Sequence, residues 1–148
     1  MKYYKALLFG SIGSIVETSE IQRKSFNKAF KQYGLDWNWT KREYLSLLNK
    51  SGGKDRISNY ALQKKVSVDA VRLINLKTKI FNDYLKKKRL KPIPVVKKLI
   101  VNCKKKDKKI NLITYTTNNN INSIFFYFKK YLDKKIFNFI LNSQIIIK

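Results

Sequence analysis

Ser51-Gly-Gly-Lys54 followed by Arg56 is the segment best equipped to hold an anion. Two glycines let successive backbone N–H groups converge, and Lys54 and Arg56 add positive charge at what reads as a helix start. The residue types alone also fit an ordinary glycine turn with solvated charges, and both readings stay open at this point. Two further places end an apolar run with small or hydroxyl residues: 10–15 (GSIGSI), and Thr114, Thr116 and Thr117. What is missing narrows the chemistry as much. The chain has no histidine, which excludes Ser-His and Cys-His triads and His-ligated metals. Cys103 stands alone, so neither a disulfide framework nor a paired-cysteine zinc site is available.

The elements that must position these residues follow from periodicity. Residues 3–9 (YYKALLF) read as a short strand, apolar on both faces and closed by glycine. From Glu20 the apolar residues Ile21, Phe26, Ala29, Phe30 and Tyr33 recur near the helical period, and Gly34 stops the helix. Thr40-Lys-Arg-Glu43 is a capping box opening a helix that turns Tyr44, Leu47 and Leu48 inward. The 51–54 turn leads into another helix. Ser67 is placed to cap a long one, with the stripe Val71, Ile74, Phe81 and Leu85 flanked by Leu73, Leu76, Ile80 and Tyr84. Lys91-Pro-Ile-Pro94 marks a boundary, and 95–104 reads as a helix with Val96, Leu99, Ile100 and Cys103 on one face. A strand at 110–115 (INLITY), a helix from 118–120 through Leu132 and a strand at 136–141 complete the chain. Strands alternating with helices predict an α/β fold with a parallel sheet, whose chemistry belongs at the strand C-terminal ends.

At these residues a family becomes visible. Phe9-Gly-Ser-Ile-Gly-Ser-Ile15 with Glu17-Thr18 resembles the first motif of haloacid-dehalogenase hydrolases, F-D-x-D-G-T-L-x-[ED]-[ST]. Arg23, Phe26-Asn27, Ala29-Phe30, Tyr33-Gly-Leu-Asp-Trp-Asn-Trp39 and Ser51-Gly-Gly-Lys-Asp-Arg56 resemble its CbbY-like branch, which dephosphorylates sugar phosphates such as xylulose bisphosphate. The resemblance implies a Rossmann-like core from 1–16 plus 92–148, reduced to about three parallel strands, with an inserted all-helical cap at 17–91. It also implies what is missing. The family's nucleophilic aspartate and its acid–base aspartate, the first also holding Mg²⁺, fall at Gly10 and Ile12, which carry neither a nucleophile nor an oxygen ligand. Thr114 matches the phosphate-binding hydroxyl. Lys148 falls about where the family's lysine stands, and the acidic metal motif beyond it is absent. By the same analogy Glu17, Arg23, Ser51, Gly52, Gly53, Lys54 and Arg56 line the substrate side, and Gln22 stands where relatives often have histidine. Trp37 and Trp39 read as cap-core packing.

The expectation is therefore a degenerate, C-terminally truncated phosphatase homologue that retains weak sugar-phosphate binding, with no metal site and no cofactor. Two other readings stay open: an active sugar-bisphosphate phosphatase with an atypical site, and a basic protein that binds nucleic acid or an acidic partner. The formal charge of +24 favours the last. However, the excess is 28 lysines against 5 arginines, alongside 14 asparagines and 17 isoleucines, a set that A/T-rich codons generate without selection for binding. Lys86-Lys-Lys-Arg89 and the lysines of 104–109 read as solvated helix ends rather than phosphate contacts. Early termination leaves 3–9 as an apolar sheet edge open to a protein partner or to self-association. No apolar run spans a bilayer or forms a signal core, so an intracellular, non-secreted protein is expected, in a plastid stroma or a bacterial cytoplasm.

Overall fold

A computed structural model describes residues 4–142 except 11, 50–51, 88–89, 115 and 117. The chain forms two compact units, Met1–Glu17 with Lys88–Lys148, and Thr18–Lys87. Ser51, Lys148, Tyr115 and Thr117 lie outside the described residues.

The first unit holds the sheet. Strands β1 (Ala6–Phe9), β2 (Lys109–Ile113) and β3 (Phe139–Leu141) are parallel and ordered β1-β2-β3. Leu7 pairs with Ile110, Phe9 with Leu112, and Leu112 with Ile140, so these five residues share one face. Helices α5 (Pro94–Lys105) and α6 (Asn118–Phe128) form the two crossovers. Both connections step the same way along the sheet, and right-handed crossovers then put both helices on one face. Ile110 and Leu112 are fully buried, and Phe9 meets Phe137 edge-on, which in turn meets Phe125 of α6. On the opposite face Leu8 is 55% and Phe139 47% exposed.

The strand expected at 3–9 is observed as Ala6–Phe9, at the edge where the sequence reading also placed it. β1 is an edge strand over a half-covered sheet, so only Phe9 of its four residues is buried. A groove of about 310 Å³ runs along that edge, lined by Tyr4, Ala6, Leu7, Leu8, Cys103 and Lys108. The third strand is also shorter than expected, because Asp133 caps a 3-10 turn at Lys134–Ile136 by accepting from the Lys135 N–H.

The second unit is all helical: α1 (Ser19–Tyr33), α2 (Lys41–Leu47), α3 (Gly53–Lys64) and α4 (Ala70–Lys87). Gly34 ends α1 at φ +87°, a conformation that glycine adopts without Cβ strain. The Thr40/Glu43 capping box is present in both directions. The core is aromatic. Trp39 is fully buried, with ring centroids of Phe26 at 4.9 Å, Phe30 at 4.7 Å and Tyr60 at 5.3 Å. Asn27 fixes the tryptophan segment: its Oδ1 accepts from the Trp39 N–H at 2.9 Å and its Nδ2 donates to the Trp39 carbonyl at 3.0 Å. Both tryptophans are therefore packing residues.

Three details differ from expectation. Asp69, not Ser67, caps α4, accepting from Val71 and Arg72 N–H at 3.0 and 2.9 Å. Val71 is half exposed because the buried stripe runs Leu73, Lys77, Ile80, Phe81 and Leu85, whose mean direction is about 120° away from it around the helix. Leu48 follows the last turn of α2 and faces out. Among the described residues no helix is long and apolar enough to cross a membrane.

Candidate functional site

In the sheet unit, the ends of adjacent strands bring Gly10 and Thr114 into neighbouring positions, each just beyond a parallel strand. A Cβ on Gly10 would meet nothing within 4 Å, so the glycine is not required by packing. Ile12 lies in a 3-10 turn, Ile12–Ser14. Thr114 is buried; its N–H donates to the Leu141 carbonyl at 2.9 Å and its hydroxyl accepts from the Thr116 N–H at 3.2 Å. Asn142, equally buried, follows β3 and donates to Asn118 at the start of α6. Glu17 is exposed. Mg²⁺ requires hard oxygen ligands, ordinarily carboxylates. Glycine and isoleucine supply none after β1, and among the described residues no three Asp, Glu, His or Cys side chains come together. The donor set does not fit the Mg²⁺ on which the family generally depends.

In the helical unit, Gly52 precedes α3 at φ +86° and Gly53 opens it, with Lys54 exposed. A Cβ at Gly53 would lie 2.7 Å from Ile74 Cδ1 and 3.6 Å from Phe26 Cζ, so a larger residue there would displace the end of the Ile74 side chain. Arg23 is held at 2.7 and 3.0 Å by both Glu20 oxygens and donates to the Trp39 carbonyl at 2.8 Å. Its hydrogen bond to the carboxylate raises its pKa and lowers that of Glu20. Arg56 is only 8% exposed; its Nε donates to the Leu47 carbonyl at 3.0 Å, and its guanidinium lies over the Tyr44 and Phe26 rings at 5.6 and 6.0 Å. Burial pulls its pKa below the usual value.

Beside it lies a residue that belongs to no motif. Lys77 of α4 is 4% exposed, with Nζ 4.9 Å from the Phe26 ring centroid and 4.8 Å from that of Phe81. It donates to Gln22 Oε1. Desolvation first, and the Arg56 charge second, push its pKa down to about 7. The signal was available: positions 73, 77, 80, 81 and 85 share a helix face, so a lysine at 77 interrupts an apolar stripe. Both basic side chains are thus buried among aromatic rings.

A sequence profile of the haloacid dehalogenase-like hydrolases matches residues 13–146. Protein CbbY of Rhodobacter capsulatus is 30% identical over 123 residues, covering 81% of this chain and 54% of that protein. Protein CbbY of Cereibacter sphaeroides is 41% identical over 61 residues, 41% of this chain and 26% of its own. The crystal structure of CbbY from Rhodobacter sphaeroides in complex with phosphate superposes with a TM-score of 0.86 at 26% identity, covering 98% of this chain and 66% of that one. A mutant of that protein is solved in complex with xylulose-(1,5)bisphosphate. The chain spans about half the length or less of these curated relatives. It belongs to the haloacid dehalogenase-like hydrolases, in their CbbY-like branch.

Proposed function

We propose that this chain binds a sugar phosphate without hydrolysing it, using the helical unit as the family's cap and the start of α3, at Gly52, Gly53 and Lys54, as the seat of a phosphate. The observation that carries the first half is the residue pair after β1, Gly10 and Ile12, where the family's two aspartates belong. Phosphate-monoester hydrolysis requires accelerations that reach about 10²¹-fold. Binding groups left after removal of a nucleophile supply on the order of 10³–10⁴-fold in a well-studied hydrolase. That gap is too wide for turnover. The second half is supported by the free backbone N–H groups at the start of α3, where Gly52 and Gly53 leave room, and by the exposed Lys54 beside them.

The test is a phosphate-release assay with Mg²⁺ and xylulose-1,5-bisphosphate, run beside Gly10→Asp/Ile12→Asp and beside a thermal-melting titration with the same compound. The expected result is no release by the unmodified chain together with a rise in its melting temperature. Mg²⁺-dependent release by the unmodified chain overturns the reading, and so does a melting temperature indifferent to the ligand.

A further inference from the structure

β1 ends the sheet, and its outer edge carries hydrogen-bonding groups with nothing to pair them. The Lys109 N–H donates to the Lys5 carbonyl at 3.2 Å, and Ala6 stands opposite Lys109 in the ladder. A strand in a parallel pair bonds its neighbour through every second residue. Leu7 and Phe9 therefore turn their N–H and C=O toward β2, while Ala6 and Leu8 turn theirs outward. Among the described residues no group meets them there. The groove of about 310 Å³ along this edge is apolar in its lining: Leu7, the buried Cys103 of α5, and the exposed Tyr4 and Leu8. Its charge is of one sign. Lys5 is exposed just before β1, Lys108 lines the groove, and no acidic side chain does. Lys108 donates to the Tyr4 carbonyl, which closes the start of the edge and leaves Ala6 and Leu8 open.

We propose that the outer edge of β1 receives an extended segment of another protein as an added strand, apolar at alternate positions and acidic at its ends. Strand addition takes its affinity from main-chain hydrogen bonds and its selectivity from pockets for alternate side chains. Here Ala6 and Leu8 offer two donors and two acceptors, and the groove takes apolar side chains beside Leu7 and Cys103. The lysines decide the class of partner. Lysine at a sheet edge works against pairing with another copy of the same chain. A second copy would bring its own Lys5 and Lys108 to the same seam, on a chain of formal charge +24. An acidic segment meets those two ammonium groups as counter-charges. Lys108 keeps two N–H groups after its bond to Tyr4, enough to hold a carboxylate.

The experiment uses the full chain and, as the probe, a fluorescent peptide of about eight residues in which valine and threonine alternate between terminal glutamates. One control peptide carries lysine in place of glutamate; another keeps the glutamates and puts proline at the central valines. Leu8→Pro removes an outward N–H and leaves the bonds from β1 to β2 in place. Amide hydrogen exchange at Ala6 and Leu8 reads the same contact with no substitution at all. The expected result is binding of the glutamate peptide, with exchange at both amides slowed and affinity at least about tenfold lower for Leu8→Pro and for either control peptide. Binding that leaves both amides exchanging as before, or that a folded Leu8→Pro retains in full, is charge attraction alone and overturns the proposal. Equal affinity for the lysine peptide overturns the acidic class of partner, and no binding overturns the site. A dimer in sedimentation that Leu8→Pro converts to monomer gives the edge to a second copy and overturns it as well.

Discussion

Replacing Lys77 by methionine is expected to stabilise the protein at pH 7 and to lose that advantage as the pH rises. The folded-state pKa of Lys77 is lowered from 10.5 to about 7, so between those values the unfolded chain binds a proton that the folded chain does not. Stability then rises with pH across that window, is greatest above 10.5, and falls to a floor as pH drops through 7. At about 1.36 kcal/mol per pH unit, the wild-type protein gains about 4 kcal/mol between pH 7 and 10.5 from this group alone, an upper figure because relaxation around a buried charge reduces it. Methionine fills a similar volume and removes the titration, at the cost of the bond to Gln22, about 1 kcal/mol. The variant should therefore be more stable by about 2–3 kcal/mol at pH 7 and less stable by about 1 kcal/mol at pH 10.5. Trp37 and Trp39 both lie in the core of the helical unit, so urea unfolding followed by tryptophan fluorescence reports on the right part of the molecule. The exposed lysines titrate in both proteins and cancel in the difference. Stability curves that stay parallel from pH 7 to 10.5 would refute the reasoning.

Two further outcomes follow from the helical unit. Thr40→Ala removes one arm of the capping box and should cost about 1 kcal/mol in urea unfolding. Bonds to Thr40 hold the Glu43 carboxyl below its ordinary pKa of 4.5, so the carboxylate arm contributes above that value and is lost as pH falls through the lowered one; a Glu43→Ala penalty that persists undiminished in acid counts against this. Trp39→Ala empties a fully buried site among Phe26, Phe30, Tyr44 and Tyr60 and should cost about 3–5 kcal/mol, enough to unfold the helical unit by circular dichroism at 37 °C.

Helix positions were legible in the sequence because each helix carries its own stop or start. Gly34 and the Thr40/Glu43 box act locally, and Pro94 sits at the first turn of α5, where its missing N–H costs nothing. The strand environments were not legible. Residues 3–9 read as an apolar sheet edge, but which of them are buried depends on what covers each face, and within β1 only Phe9 is. The cap of α4 went to the wrong residue because Ser67 and Asp69 are both competent, and only the chain path between α3 and α4 decides which meets the free N–H groups. At the site, the motif Ser51-Gly-Gly-Lys-Asp-Arg56 drew attention to surface charge, whereas Arg56 turns inward over Tyr44 and Phe26. Lys77 belonged to no motif, and only the helical phase of α4 marks it.

That phase also bears on how the lysine-rich composition should be read. An exposed residue can become lysine at a cost within about ±0.5 kcal/mol, so lysines scattered over the surface carry no argument about function. Position 77 is different, because an amine there works against the fold by several times that amount at neutral pH. Gly10 departs from the family in the opposite sense: it is exposed, nothing lies within 4 Å of where its side chain would be, and an aspartate there would meet no obstacle. Drift alone favours keeping what is cheap and discarding what is costly. Here the cheap carboxylate is absent and the costly amine is present, and departures from local consistency of this kind concentrate where a protein binds or reacts. At these two positions the pairing runs opposite to what drift alone favours.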